Sequence, residues 1–213
     1  MIKGIIFDLD GVIVFTDHLH YKAWKAMADR EGIYFDEVIN DRLRGVSRMA
    51  SLEILLERAH KTYTMQEKLA LAEYKNALYR EYLNDMTEKD VSPVVRKTLQ
   101  ALVDKGIKLA IGSSSKNTPY IVDNVKIRPF FSAIADGNDI TQSKPHPEVF
   151  LLAASRLGLN PEECLVVEDA ESGIDAAEAG GFHSVGIGPA SKYPKTDYPI
   201  KSLDELLGLV QKQ

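Results

Sequence analysis

One cysteine in 213 residues, Cys164, rules out an internal disulfide. Its place inside the apolar run CLVVED makes it a buried packing residue rather than a reactive thiol. Long hydrophobic runs are missing too. The apolar stretches are strand-sized and the first, near the amino end, is interrupted by acids, so neither a membrane span nor a signal peptide is expected, and the cytoplasm is the expected compartment. Nor is there an excess of positive charge. The formal charge is −5 with both signs mixed along the chain, which gives no reason to expect nucleic acid or a membrane surface as partner. An acidic protein that handles phosphate would need a local cation. The sequence has no low-complexity segment, internal repeat or Gly/Ser linker. The glycines of AGGFHSVGIGPA form no dinucleotide fingerprint, because no helix-opening G-x-G-x-x-G follows a strand. What is there is a globular composition, 45% hydrophobic and 27% charged, in a chain long enough for one large domain or a domain with an insertion.

The rhythm of apolar residues divides the chain. KGIIFDLD, IKLAIGSSS, FSAIADG, CLVVEDA and FHSVGIG are short apolar runs ending in polar residues or glycine. From residue 92 onward they alternate with amphipathic segments, the pattern of a parallel sheet built from β-α-β units. Helix signals punctuate those segments. Ser92 and Pro93 open one that Gly106 closes, with Val95, Leu99, Leu102 and Val103 expected on its buried face. Asn160, Pro161 and Glu163 predict a one-turn helix leading into CLVVEDA, and ESGIDAAEAGG stops at Gly180 and Gly181. Between the first strand and Ser92 the pattern is helical only, in LHYKAWKAMADREG, VSRMASLEILLERAHK and MQEKLALAEYKNALYREYLNDM. The expected fold is therefore α/β: a Rossmann-like parallel sheet core flanked by helices, formed by residues 1–15 and 92–213, with an inserted helical cap at 16–91.

In an open parallel sheet, ligands bind beyond the carboxyl ends of the strands. Asp8 and Asp10 stand at the end of the first strand, Ser113, Ser114 and Ser115 at the next, and Glu168 and Asp169 after CLVV, while Lys144 precedes Pro145 in SKPHPEVF. Like charges about 4 Å apart repel by about 4 kcal/mol per pair at an effective dielectric of about 20, so two acidic pairs meeting there need a cation or protons. Carboxylate and carbonyl oxygens suit Mg²⁺, and no Cys/His cluster has zinc-ligand spacing. Serine hydroxyls, backbone amides and one lysine form a phosphate cradle, leaving one carboxylate to attack and another to move protons.

DLDGV, the serine-bearing strand end, SKPHP and VVEDAESGI, in this order, resemble the haloacid dehalogenase-like superfamily over nearly the whole chain. The helical insertion is similar to that superfamily's four-helix cap. DGVI, HYKAW, LRGVSRMASLEILL, YKNALY, SSSKN and SKPHPEVF resemble the branch that interconverts β-glucose 1-phosphate and glucose 6-phosphate. The resemblance implies that Asp8 is the nucleophile, becoming an aspartyl phosphate, and Asp10 the general acid/base. It implies one Mg²⁺ per site held by Asp8, the Asp10 backbone carbonyl, Glu168 and Asp169, and β-glucose 1,6-bisphosphate as priming phosphodonor. Ser113, the Ser114 backbone and Lys144 would hold the transferring phosphoryl group, and Arg48 with Ser115, Lys116 and Asn117 the distal phosphate. Gly45, Val46 and Ser47 would shape the sugar pocket, Thr16, His20 and Lys75 would couple cap closure to Asp10, and Trp24 would pack beneath. Phe15 departs from the pattern, since several relatives carry an acid there, and no role is assigned to it. The expected partner is a small-molecule sugar phosphate, with no nucleic acid and no membrane, acted on by a monomer.

Simpler readings compete residue by residue. Two aspartates at a strand end also suit a turn and a helix cap, and Lys144 and Lys75 could each be solvated lysines. Arg48 in the first turn of a helix opposes the helix dipole, which favours a phosphate role. His20 alone is more commonly structural, Trp24 with Leu19 and Ala23 fills a core, and His60, His146 and His183 are structural or exposed. The motifs around Asp8 suit a sugar-phosphate phosphatase as well as a mutase. A phospho-receiver module and a binder without turnover are the non-enzyme alternatives. The long insertion counts against the first, and the full set of catalytic residues against the second.

Overall fold

The computed structural model describes residues 1–43 and 46–210. It divides into two compact units, one formed by residues 1–15 and 87–213, the other by residues 16–86.

The first unit holds a parallel sheet. β1 (Gly4–Phe7) is followed, after the other unit, by α5 (Pro93–Asp104), β2 (Lys108–Gly112), α6 (Thr118–Asn124), β3 (Ala133–Ala135), α7 (Glu148–Leu157), β4 (Cys164–Glu168), α8 (Glu171–Ala179), β5 (His183–Gly186), β6 (Tyr198–Pro199) and α9 (Leu206–Leu209). The strand order is β3-β2-β1-β4-β5-β6, with every pairing parallel. The order reverses at β1, so the carboxyl ends of β1, β2 and β4 share one edge, the crevice position of an open α/β sheet. β1 and β4 are buried along their whole length, as strands covered by helices on both faces must be. Phe150 and Ala153 of α7 and Ala176 and Ala177 of α8 pack with Ile6, Ala110 and Val166 in one core cluster. Cys164 is buried there, and burial pushes its thiol up to about 11.

Local signals explain most boundaries. Ser92 caps α5, accepting from the Val95 amide, with Pro93 in the first turn. The Asn160 amide donates to Glu163 Oε2 at 3.0 Å in the short 3₁₀ turn before β4. Val95, Leu99 and Leu102 are buried, but Val103 is 39% exposed. Thr98 takes the buried place instead, because position 103 lies one helical step, about 100°, beyond Leu102.

The second unit is helical: α1 (Asp17–Glu31), α2 (Glu37–Asp41), α3 (Arg48–Leu56) and α4 (Met65–Leu83). Trp24, Met27, Phe35, Leu52, Leu55 and Leu71 belong to its core. Thr64 and Glu67 cap α4 reciprocally. The carboxyl-side boundary of this unit falls at 86, not at 91. Residues 87–91 go with the sheet unit because Val91 is buried and Arg96 of α5 donates to the Glu88 carbonyl at 2.8 Å and to Val125 O at 2.5 Å. Among the described residues, no helix is long and apolar enough to cross a membrane.

Candidate active site

β1 delivers Asp8 to the carboxyl edge of the sheet, its amide donating to Val167 O at 2.9 Å. The chain then turns tightly, the Gly11 amide donating to Val14 O at 2.7 Å and the Val14 amide to Leu9 O at 3.0 Å. Gly11 has φ +81°, and a Cβ there would lie 2.1 Å from Asp169 Oδ2. Only glycine suits both that backbone and that approach. In the first turn of α8, a Cβ on Gly173 would lie 2.0 Å from the carboxyl carbon of Glu168, the last residue of β4. These two glycines make room for the acids, and sequence reasoning assigned neither; the DGV and ESG motifs were their available signal.

Asp8, Glu168 and Asp169 each bring a carboxylate oxygen within 4.8 Å of the others. Lys144 crosses to them from the segment before α7, its Nζ 2.5 Å from Asp8 Oδ1 and 2.5 Å from Glu168 Oε1, and the Lys144–Pro145 peptide is cis. Its ammonium also stands 4.6 Å from the Phe150 ring centroid. Burial pushes the Asp8 carboxyl well up, against the pull of Lys144 and with added push from Glu168 and Asp169. Burial would lower Lys144, but Asp8 and Glu168 outweigh it and hold the ammonium above the ordinary lysine range. Three carboxylates gather around one ammonium. An all-oxygen donor set of this kind fits a hard divalent cation such as Mg²⁺. Glu168 is not simply one ligand among equals. Its Oε1 takes Lys144, while Oε2 accepts from the Asp169 and Ala170 amides at 2.9 and 3.0 Å, so its first task is to orient the lysine and the turn that carries Asp169.

At the end of β2, the buried Ser113 accepts from the Ser115 amide at 3.2 Å, and Ser115 Oγ accepts from the Asn117 amide at 3.2 Å. The Ser114 hydroxyl is buried without a hydrogen-bond partner among the described residues. Lys116 is exposed and Asn117 buried.

In the helical unit, Thr16 Oγ1 lies 2.9 Å from the Tyr79 hydroxyl. His20 stacks on the Tyr79 ring at 3.9 Å, and Lys75 Nζ lies 2.8 Å from His20 Nδ1. An ammonium only donates, so beside a charged Lys75 the Nδ1 atom is the acceptor. Burial, then Lys75 and Arg48, holds His20 well below its usual range. Lys75 is 3% exposed, 4.7 Å from the centroids of both Trp24 and Tyr79, a setting that favours a cation over ring faces. It is not a solvated lysine. Arg48 is partly buried, which lowers its pKa against the pull of Glu73, and its contact with Glu73 is long at 3.7 Å. Ser47 caps α3, its hydroxyl accepting from the Ala50 amide at 3.3 Å. Val46 is exposed and Gly45 lies outside the described residues. Tyr79, which joins Thr16, His20 and Lys75, was missed from sequence because a helical tyrosine gives no local sign of its stacking partners.

The model of the haloacid dehalogenase-like hydrolases matches residues 2–181, and the chain belongs to that family. It is 38% identical over 206 residues to the β-phosphoglucomutase of Bacillus subtilis, covering 96% of this chain and 91% of that one. It is 32% identical to a fructose-1-phosphate phosphatase of Escherichia coli, covering 86% of this chain and 95% of that one. The crystal structure of a Clostridium difficile β-phosphoglucomutase superposes with a TM-score of 0.92 at 36% identity, covering 100% of this chain and 96% of that one.

Proposed function

We propose that the protein is a Mg²⁺-dependent β-phosphoglucomutase, interconverting β-glucose 1-phosphate and glucose 6-phosphate through an aspartyl phosphate and β-glucose 1,6-bisphosphate. The observation that carries the chemistry is the clamp of Lys144 between Asp8 and Glu168 at 2.5 Å each. It fixes one Asp8 oxygen and leaves the other for attack on phosphorus. The choice of sugar and of mutase chemistry rests on the likeness to the Bacillus subtilis enzyme.

Asp8 carries the phosphoryl group, and its Oδ–P bond breaks as the C6 hydroxyl of β-glucose 1-phosphate attacks. Asp10 takes the proton from that hydroxyl. The bisphosphate turns around, Asp8 attacks the phosphorus at C1, and Asp10 returns the proton to the departing C1 oxygen. Asp8, the Asp10 carbonyl, Glu168 and Asp169 would hold Mg²⁺, which when bound would offset carboxylate repulsion and the developing charge on the phosphoryl oxygens. Lys144 and Ser113 support the same oxygens, while Arg48, Ser115, Lys116 and Asn117 hold the remote phosphate. The helical unit acts as a cap, in which Thr16, His20 and Lys75 govern closure and the exclusion of water.

Incubation with β-glucose 1-phosphate, Mg²⁺ and a trace of glucose 1,6-bisphosphate tests this. Glucose 6-phosphate is the expected product, and Asp8→Asn removes all turnover. A second reading, a sugar-phosphate phosphatase, draws on the Escherichia coli relative. Inorganic phosphate released without glucose 6-phosphate would establish that reading and end the first.

A further inference from the structure

The motif ADGND, residues 135–139, is not used by the chemistry above, yet its loop lies directly against the serine loop that follows β2. The Ser113 amide donates to Ala135 O at 3.1 Å and the Gly137 amide to Ser115 O at 3.3 Å. Asn138 Nδ2 donates to Lys116 O at 3.0 Å and to Asp136 Oδ1 at 2.8 Å. The fit is close, for a Cβ on Gly137 would stand 2.3 Å from Ser114 O and 2.9 Å from Lys116 N. Asp136 is 5% exposed and also accepts from the Asn138 amide at 2.7 Å, while its own amide donates to Asp139 Oδ2 at 3.0 Å. Arg156 of α7 then holds Asp139 through both carboxylate oxygens, at 2.8 and 2.9 Å. A chain of charge-assisted bonds thus runs from a rigid helix to the carbonyl of Lys116, ending on one exposed side-chain amide.

We infer that Asn138 is a positioning residue for the remote-phosphate grip of Ser115, Lys116 and Asn117, a role resting on the phosphate-binding reading proposed above. Ser115 O receives the Gly137 amide, the Thr118 amide at 3.4 Å and, at 2.8 Å, the Thr118 hydroxyl, so its orientation is fixed three times. Lys116 O depends on Asn138. Losing that donor frees the peptide unit from which the Lys116 side chain and the Asn117 amide depart. Asn138 touches neither Asp8 nor Lys144, so the reacting end of the substrate is untouched by its loss.

Asn138→Ala and Asn138→Asp separate a donor from a filler. Removing one hydrogen bond to a carbonyl is expected to raise KM for β-glucose 1,6-bisphosphate about 3–10-fold. Turnover of acetyl phosphate, which has no remote phosphate, should stay within about twofold of the parent. Asn138→Asp, nearly the same size but an acceptor facing Asp136 and Lys116 O, should lose at least as much as Asn138→Ala. Amide hydrogen exchange gives a readout independent of the reaction: both variants should exchange faster across residues 116–117, by about tenfold, and unchanged across 113–115 and 164–168. Unchanged exchange at 116–117, equal losses for bisphosphate and acetyl phosphate, or a lowered melting temperature with KM unmoved would each overturn the role of Asn138. A parent protein that forms no glucose 6-phosphate would instead defeat the functional reading, with the exchange comparison still deciding whether Asn138 orders the loop.

Discussion

Replacing Lys144 by methionine keeps the apolar stem and deletes the charge from the site. The ammonium is 2.5 Å from both Asp8 and Glu168, and its side chain is 3% exposed. At that distance each pair attracts by about 7 kcal/mol at an effective dielectric of about 20. Most of this gross attraction offsets the cost of taking the charges out of water, and removing one partner of a buried pair costs about 3–5 kcal/mol net. For a chain of this size 1 kcal/mol moves the melting temperature by about 2–4 °C, so the variant should melt about 6–20 °C below the parent in chelator. Magnesium gives the sharper check. The variant site carries one positive charge fewer, so it should bind the cation more tightly, and a site saturated to about 100 times its Kd gains about 2.7 kcal/mol. Calorimetry in chelator and in Mg²⁺ should therefore show a larger Mg²⁺-induced rise for Lys144→Met than for the parent. Under the proposed function, turnover should still fall about 10²–10³-fold, because the cation would not replace Lys144 as a donor to the phosphoryl oxygens. A melting temperature in chelator within about 2 °C of the parent, or an equal Mg²⁺ response in the two proteins, would refute the electrostatic account.

Gly11→Ala forces a methyl into the Asp169 carboxylate from a left-handed backbone; it should cost about 1–3 kcal/mol of stability and weaken Mg²⁺ binding by titration calorimetry at least about tenfold. For His20 the folded value lies below the unfolded one, so the unfolded chain binds more protons in between and stability falls as pH drops from about 6.5 toward the folded value, at up to about 1.4 kcal/mol per pH unit. Denaturant melts at stepped pH should show that slope in the parent and its loss in His20→Asn.

Much of the sheet was legible because β1, β2, β4 and β5 are apolar runs stopped by polar residues or glycine, and a buried parallel strand needs little else. β6 was not. It is two residues, Tyr198 and Pro199, held by pairing with Val185 and Gly186, and no local pattern encodes a partner thirteen residues away. The five-residue α2 was missed for a similar reason: its Asp36 cap is a single weak signal. In the site, the acids and Lys144 could be named from sequence because their residue types are costly to bury without purpose. The division of labour among them could not. That Glu168 spends one oxygen on Lys144 and the other on two amides follows from where β4 stops and where the chain crosses before α7, and both are tertiary facts. Likewise Lys75 reads as a surface lysine until α1 supplies His20 and Trp24 around it.

Each unit buries a lysine. Lys144 stands between two carboxylates, and Lys75 beside an imidazole nitrogen and two ring faces. Neither arrangement is the cheapest way to fill its volume. Apolar residues of similar size in place of a buried ion pair are often neutral or stabilising by about 1–4 kcal/mol, so stability alone does not account for Lys144. The carboxylate trio around it has the same property, being a liability of mutual repulsion unless charge is brought from outside. Under the function proposed above, the lysine would face the phosphoryl group and the acids the divalent cation, so the arrangement that stability does not explain is one that ligand binding would explain.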